Sequence, residues 1–281
     1  MSGYRRISWL AIAALLLVPC LAGCTKNPAT GKSQLILISR EQEIALGEEA
    51  APQFEQEFDG RVANDQLQAY VQAVGRKVSD ACERPMPYEF TLVRSDVPNA
   101  FALPGGKIFL TAGLMQRMTN ERQLAAVLAH ETGHVSALHN VAGMQRQMGA
   151  AVLVEIAGQI AGKEKADAAK AATQVVTSVA TLKYSRDDEY QADDLGIRYM
   201  AKAGYNPYGM VELLTVLYKL AESEPGSLEE LFQTHPLSSK RIQRAEDKVK
   251  DDYERFSRDA ADPDQRHFQD MHGLLLKTLG R

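Results

Sequence analysis

Cysteine is scarce in this chain of 281 residues, which has only three cysteines, at positions 20, 24 and 82. The first two lie in or directly after an amino-terminal apolar segment, so the rest of the chain has no second cysteine with which Cys82 could form an intrachain disulfide. The same scarcity excludes a zinc ribbon, which needs paired cysteines. We expect Cys82 to be a packing residue and not a nucleophile, because no neighbouring residue marks it for catalysis.

An excess of positive charge is also absent. The formal net charge is -4 at pH 7, which gives no reason to expect a nucleic acid partner. Beyond the amino terminus, no apolar run reaches the roughly 20 residues that a membrane-spanning helix needs. The stretches 151–157 and 175–180 are short, and charged residues lie between them. With 45% hydrophobic and 24% charged residues, the composition is that of one substantial globular domain.

The most informative motif is H-E-x-x-H at residues 130–134, in a segment with the apolar periodicity of an amphipathic helix. Histidines at positions i and i+4 share one helical face, so His130 and His134 can bind the same metal ion, with Glu131 beside it as a general base. Asn120 is a predicted N-cap, with Gln123 completing a variant of the capping box. The alternative is a pair of core histidines without a ligand.

A catalytic zinc site needs a third protein ligand and an open position. The segment 184–193 offers Glu189 and Asp193, which lie one helical turn apart, and the small residues Ala192 and Gly196 would allow a close approach to the first helix. We predict that Glu189 is the third ligand and that Asp193 accepts the free N–H of a ligand histidine. For both carboxylates the alternative is a solvated acidic helix face.

Five segments together resemble the HtpX-like zinc metalloendopeptidases, the family that includes the CAAX prenyl proteases, and most closely its periplasmic lipoprotein branch. The segments are N-P-A-T-G-K-S-Q-L at 27–35 with E-Q-E-I-A-L-G at 41–47, N-A-F-A-L-P-G-G-K-I-F at 99–109, the H-E-x-x-H helix, S-R-x-x-E-x-x-A-D at 185–193, and T-H-P at 234–236 followed by Arg241 and Ile242. Their order and joint occurrence are far more specific than H-E-x-x-H alone.

The resemblance implies a mainly helical α+β fold of the zincin-like (gluzincin) type with a small β-sheet. The ligands that it implies for one Zn²⁺ per chain are His130, His134 and Glu189. It further implies Glu131 as the general base and Asp193 as a support for a histidine. In some relatives the T-H-P histidine also reaches the metal and holds the resting enzyme shut, so His235 is a candidate catalytic or gating residue. The alternative for His235 is an ordinary loop histidine.

The resemblance also implies hydrolysis of peptide bonds in unfolded or misassembled cell-envelope proteins. The strand-forming residues around Pro104-Gly105-Gly106 predict a hairpin, whose exposed edge could pair with an extended substrate or could simply close the sheet. A function of another class stays open, namely a periplasmic chaperone or assembly factor with a latent, histidine-gated protease site.

The amino terminus predicts the location. Arg5 and Arg6 precede the apolar run 7–18 and the sequence L-A-G-C at 21–24, which is the layout of a bacterial lipoprotein signal peptide over residues 1–23. Lipid on Cys24 would anchor the chain in the periplasm, and Thr25 in place of aspartate favours the outer membrane. An uncleaved anchor is the alternative. We divide the remainder into a lipid-anchored tether (24–39), a zinc metallopeptidase domain (40–250) and a helical C-terminal tail (251–281).

Overall fold

The computed structural model describes residues 24–162, 165–224, 226 and 228–281, so the predicted signal peptide lies outside the described residues. The strands are β1 (Cys24–Lys26), β2 (Ser33–Leu35), β3 (Glu89–Val93), β4 (Ala100–Ala102) and β5 (Lys107–Thr111). The helices are α1 (Arg40–Glu57), α2 (Asp65–Ser79), α3 (Ala112–Met115), α4 (Glu121–Ser136), α5 (His139–Met148), α6 (Ala150–Gly162), α7 (Lys165–Ala180), α8 (Arg186–Lys202), α9 (Tyr208–Ser223), α10 (Glu229–Thr234), α11 (Ser239–Asp252) and α12 (Gln265–Thr278). This confirms the mainly helical α+β class.

The central sheet has the strand order β3, β5, β4, with β3 and β5 parallel and β4 antiparallel to β5. Alternate residues of a strand point to opposite faces. Ile108 and Leu110 therefore join one hydrophobic core, while Phe109 joins another. The predicted hairpin around residues 104–106 is confirmed, and Gly105 has a φ of 76° at its turn. A Cβ at this position would lie 2.7 Å from the Ile44 Cα, so only glycine fits.

The outer strand β4 is not exposed. Its three residues are buried, and α4 and α7 both contact it. Just beyond the strand, the Asn140 side chain donates a hydrogen bond to the Leu103 carbonyl at 3.1 Å. Of the two interpretations left open, this conformation fits the hairpin that closes the sheet, because α4 and α7 pack over the buried strand β4.

Two hydrophobic cores lie on either side of the sheet. The larger core combines one sheet face with α2, α4, α8, α9 and part of α12. The smaller core combines the other face with α1 and the helices α5, α6 and α7. In it, the Phe54 ring packs against Phe101 and Phe109, with ring centroids 5.1 and 4.8 Å away, respectively. The site helices α4 and α8 are thus held by packing against the larger core.

The segment 24–39, predicted to be a polar tether, contains an antiparallel hairpin formed by β1 and β2. Asn27 is buried, accepts from the Ala29 N–H at 2.8 Å and donates to the Ser136 carbonyl at 2.9 Å. The Gln34 amide donates to the Ala137 carbonyl at 3.0 Å. The hairpin therefore attaches to the carboxyl end of α4, so the predicted tether over 24–39 contains a structured part that packs on the domain.

The carboxyl-terminal helix also packs on the body of the protein. Phe268, Met271 and Leu275 of α12 are buried in the larger core, and Thr278 accepts a hydrogen bond from the Asn64 amide at 3.2 Å. Within the described ranges, no helix is both long and apolar enough to cross a bilayer. Of the segment 251–281, predicted to be a helical tail, residues Gln265–Thr278 form α12. This helix contributes to the same core as α4.

Candidate metal centre

Helix α4 carries the H-E-x-x-H motif in the interior of the protein. The Asn120 side chain caps its start by accepting from the Gln123 N–H at 3.0 Å, as predicted. Both motif histidines are buried, with 6% of His130 and none of His134 exposed. Their Nε2 atoms lie 3.1 Å apart. Burial lowers the pKa of His134 well below its usual value, so this ring is neutral and has a lone pair to offer a metal.

Helix α8 supplies two carboxylates from the facing side. It begins with a capping box in which Ser185 and Asp188 exchange hydrogen bonds. One turn later its inner face presents Glu189 and Asp193, which are 0% and 3% exposed. The acidic-face alternative is therefore wrong for these two residues, because the segment turns them toward α4 and away from solvent.

Small residues set the distance between the two helices. A Cβ on Gly133 would lie 2.9 Å from the Ala192 carbonyl oxygen, and a Cβ on Gly196 would lie 3.2 Å from the His130 amide nitrogen. The predicted close approach at Ala192 and Gly196 is confirmed. Because the backbones meet, short side chains on α8 reach the histidines on α4.

Four buried side chains place one potential ligand atom each within 4.8 Å of one another: His130, His134, Glu189 and His235. The His134 Nε2 lies 3.4 Å from one Glu189 oxygen, and the His130 Nε2 lies 3.6 Å from the other. Donors at about 2.0–2.1 Å from a tetrahedral ion are about 3.3 Å apart, so these separations fit a zinc-sized cation.

The outer nitrogens of the two histidines explain why a cation fits. The His130 Nδ1 lies 2.9 Å from an Asp193 oxygen, and the His134 Nδ1 lies 3.1 Å from the His139 Nδ1. If each outer nitrogen carries its ring's proton, the two Nε2 lone pairs face each other at 3.1 Å. Two lone pairs at that distance repel unless a positive charge lies between them, so this donor set suits a metal ion.

Glu131 lies beside the cluster without belonging to it. Its Oε1 is 3.9 Å from the His235 Nε2, and its Oε2 is buried with no hydrogen-bond partner in the described part of the chain. Burial raises the pKa of Glu131, although the neighbouring His235 and His130 act in the opposite direction. This position and this proton affinity suit a group that exchanges a proton with a molecule in the site.

Arg241, at the start of α11, balances the buried negative charge. Its Nε and Nη2 donate to the two Asp193 oxygens at 2.8 and 2.7 Å, and its Nη1 contacts Glu189. Burial would raise the pKa of Asp193, but Arg241 and the bond to His130 lower it below the usual value. Both carboxylates therefore stay ionised around the histidines.

His235 lies at the carboxyl end of α10, beside Glu189. Its Nδ1 lies 2.9 Å from Glu189 Oε1, and only 6% of the residue is exposed. Burial alone would lower its pKa, but the carboxylates of Glu189 and Glu131 outweigh burial and raise it. A cavity of about 40 Å³ lies beside Glu131 and His235 and is lined mainly by apolar residues such as Leu213, Leu217 and Phe232. His235 and this apolar cavity thus lie on the same side of the cluster as Glu131.

Sequence reasoning missed three contributors. His139 contacts His134, Arg241 holds both carboxylates, and the Tyr184 ring stacks on His134 with centroids 3.8 Å apart. Arg241 belongs to one of the resembling segments and Tyr184 begins the segment 184–193, but the sequence assigned no role to either. For His139 the signal would be a third histidine five residues after His134. On an unbroken helix that spacing points away from the site, so the sequence alone did not indicate it.

Comparison with known proteins gives a consistent result. The model of peptidase family M48 matches residues 65–249. A putative beta-barrel assembly-enhancing protease of Vibrio cholerae is 32% identical over 85% of this chain and 50% of its own length. The beta-barrel assembly-enhancing protease of Escherichia coli K12 is 30% identical over 79% and 47%. Metalloprotease LoiP of the same strain is 28% identical over 86% and 96%. The chain thus spans about half the length of the first two.

Proposed function

The chain belongs to peptidase family M48 and is a metallopeptidase, and we propose that it is a zinc-dependent endopeptidase acting on unfolded or misassembled proteins of the cell envelope. The observation that carries the zinc assignment is the pair of Nε2 atoms 3.1 Å apart, with a Glu189 oxygen 3.4 Å from one of them. Two imidazoles and one carboxylate are a donor set that zinc prefers. We assign His130, His134 and Glu189 as the ligands of one Zn²⁺ per chain.

The remaining side chains have distinct parts in this proposal. When bound, the zinc ion would polarise the scissile carbonyl and make water a better nucleophile. Glu131 takes a proton from the attacking water and delivers it to the leaving amine, a role for which its Oε2 is available because it has no hydrogen-bond partner in the described part of the chain. Asp193 lies 2.9 Å from the His130 Nδ1, so a proton on that nitrogen would face the carboxylate and leave the Nε2 lone pair toward the site.

The names of the relatives support the proposed substrate class, and the amino-terminal sequence supports the proposed location. Two of the relatives are named for enhancing β-barrel assembly, and such barrels are outer-membrane proteins. The L-A-G-C sequence at 21–24 supports a lipid on Cys24 and, with Thr25, an anchor in the outer membrane. Because this chain is about half as long as those relatives, we transfer the class of substrate and none of their partners.

Cleavage of casein, an unfolded model protein, by the chain from residue 25 onward tests the proposal. The matched variant is Glu131→Gln, prepared with the same zinc content, together with a chelator control. We expect casein cleavage that chelation abolishes and that Glu131→Gln reduces by about 10²–10⁴-fold. Equal cleavage by the variant and the parent would remove Glu131 from the mechanism. Cleavage that survives complete metal removal would contradict a zinc enzyme.

A second candidate is a chaperone or assembly factor whose protease site is latent, and the observation that favours it is the burial of His235 against Glu189. We expect His235→Ala to raise basal cleavage, because it removes the side chain that closes the site. Unchanged cleavage by this variant would contradict a gating role for His235. Prevention of substrate aggregation by Glu131→Gln, with no cleavage by His235→Ala, would favour the chaperone.

A further inference from the structure

A break in the chain after the metal helix brings a third histidine to the site. Helix α4 ends at Ser136, and Leu138 has a φ of 63°, in the left-handed region that non-glycine residues rarely adopt. On an unbroken helix, residue 139 would lie about 140° around the axis from residue 134. The break turns the chain back, and His139 begins α5 with only 3% of its surface exposed.

His139 lies between His134 and the amino-terminal part of α8. Its Nδ1 is 3.1 Å from the His134 Nδ1, and its Nε2 is 3.0 Å from the Gln191 side-chain oxygen. The same Nε2 lies 3.5 Å from an oxygen of Asp188, the residue that forms the capping box with Ser185. The contacts therefore join the carboxyl end of α4 to the helix that carries Glu189.

The partners determine where the protons lie. The Gln191 amide oxygen can only accept, so the His139 Nε2 carries a proton and, in a neutral ring, the His139 Nδ1 is an acceptor. An acceptor at that position requires a proton on the His134 Nδ1, which leaves the His134 Nε2 lone pair facing His130 and Glu189. Each hydrogen bond thus specifies the direction of the next.

We propose that His139 is a positioning residue whose Nδ1 accepts a hydrogen bond from the His134 Nδ1–H and so fixes the tautomer and ring orientation of His134. The inference rests on the proposed metal site. The outer nitrogens of the two histidines then have different partners: an ionised carboxylate, Asp193, beside His130 and a neutral ring, His139, beside His134. A neutral acceptor has a physical advantage here, because Glu131, Glu189 and Asp193 already place three buried carboxyl groups around the centre.

Zinc affinity of the full mature chain, measured by competition with a chelator of known affinity, tests this role without relying on activity. His139→Leu fills the buried position with an apolar side chain that offers no hydrogen-bond acceptor. We expect it to weaken zinc binding about 10–100-fold. In His139→Asn the Oδ1 takes the place of the Nδ1, so we expect most of the affinity to return. His267→Leu, at a histidine with 58% side-chain exposure, is the matched control and should bind zinc as the parent does.

Long-range ¹H–¹⁵N spectra of histidine-labelled, zinc-loaded protein give a second readout. We expect His134 to carry its proton on Nδ1 and His139 on Nε2. A proton on the His139 Nδ1 would overturn the proposal even if His139→Leu failed to fold. So would parental zinc affinity in folded His139→Leu, or an equal loss in His139→Asn and His139→Leu. If the folded parent itself binds no zinc, the proposed function fails first, which the parental titration reveals separately.

Discussion

Arg241 forms a two-armed ion pair with Asp193, in which Nε and Nη2 donate to the two carboxylate oxygens at 2.8 and 2.7 Å. Both side chains are only 5% exposed. Asp193 in turn meets the His130 Nδ1 at 2.9 Å, and the third guanidinium nitrogen of Arg241 contacts Glu189. One cation from α11 therefore compensates the two carboxylates that α8 brings to the site, and the packing of α11 becomes part of the centre.

Replacing Arg241 tests this dependence. We expect Arg241→Ala to destabilise the protein by about 3–5 kcal/mol, because it leaves two buried carboxylates without their counter-charge. Arg241→Lys should recover only part of the loss, since a lysine cannot form the two-armed contact. Urea denaturation measures both. The control is Arg244→Ala, on the same helix with 47% side-chain exposure, for which we expect a change of about 0–1 kcal/mol. Equal losses at the two positions would contradict this assignment.

The crossing of α4 and α8 should not tolerate one added methyl group. A Cβ on Gly133 would meet the Ala192 carbonyl oxygen at 2.9 Å, and a backbone atom cannot rotate away as a side chain can. We expect Gly133→Ala to cost about 2 kcal/mol and to weaken metal binding, because the helices must separate. Gly273→Ala, in α12 with open space around it, should instead stabilise the protein by about 0.5–1 kcal/mol. A Gly133→Ala protein as stable as Gly273→Ala would exclude the tight crossing.

Metal removal should lower the thermal stability of the folded chain. A ligand that binds only the folded state adds stability that grows by about 1.4 kcal/mol for each tenfold excess over its Kd. We expect dialysis against a chelator to lower Tm and zinc to restore it. The facing Nε2 atoms of His130 and His134 supply the reason. In His134→Ala the chelator should have little effect. A parental Tm that is indifferent to both treatments would argue against a metal in this cluster.

Glu121, at the start of the metal helix, should give stability a distinct pH dependence. Its carboxylate is buried and accepts from the Tyr70 and Tyr205 hydroxyls at 2.9 and 3.0 Å. Burial raises its pKa above the usual value, although these hydrogen bonds oppose the rise. The folded state therefore binds this proton more tightly than the unfolded state, so its contribution to stability is present below the unfolded pKa and is lost as the pH rises through the folded pKa.

Glu121→Gln isolates that contribution. We expect the stability of the parent relative to the variant to fall as the pH rises above the ordinary glutamate pKa, as measured by urea denaturation at each pH. The difference between the two proteins cancels the opposite pH dependence of Asp193, whose pKa is lowered. A difference that stays constant or grows as the pH rises would show that burial does not raise the pKa of Glu121.

Much of the centre could be predicted from local spacing. The i, i+4 histidines and the Glu189–Asp193 pair follow from one helical period, and Asn120 and Ser185 marked the helix starts by their capping chemistry. The small residues at 192 and 196 predicted the close crossing that the structure has. These predictions succeeded because each depends on residues within one or two turns of one helix.

The errors came where distant segments meet. The segment 24–39 is polar enough to suggest a tether, but Asn27 finds its partner at Ser136, 109 residues away. Strand β4 lies at the edge of the sheet, but its residues are buried and both α4 and α7 contact it. Neither partner could be assigned from the sequence, because a hydrogen bond between segments leaves no periodic pattern in either one.

The sequence by itself determined the local arrangement of the candidate site: which histidines and carboxylates share a helical face, and on which helices they lie. Tertiary structure alone decided how those side chains are supported and covered, through the turn at Leu138 that returns His139 to His134, the reach of Arg241 from α11 and the burial of His235. The physical reason is that a helical period orients neighbours along one element, whereas the contacts between elements depend on the packing of the whole core.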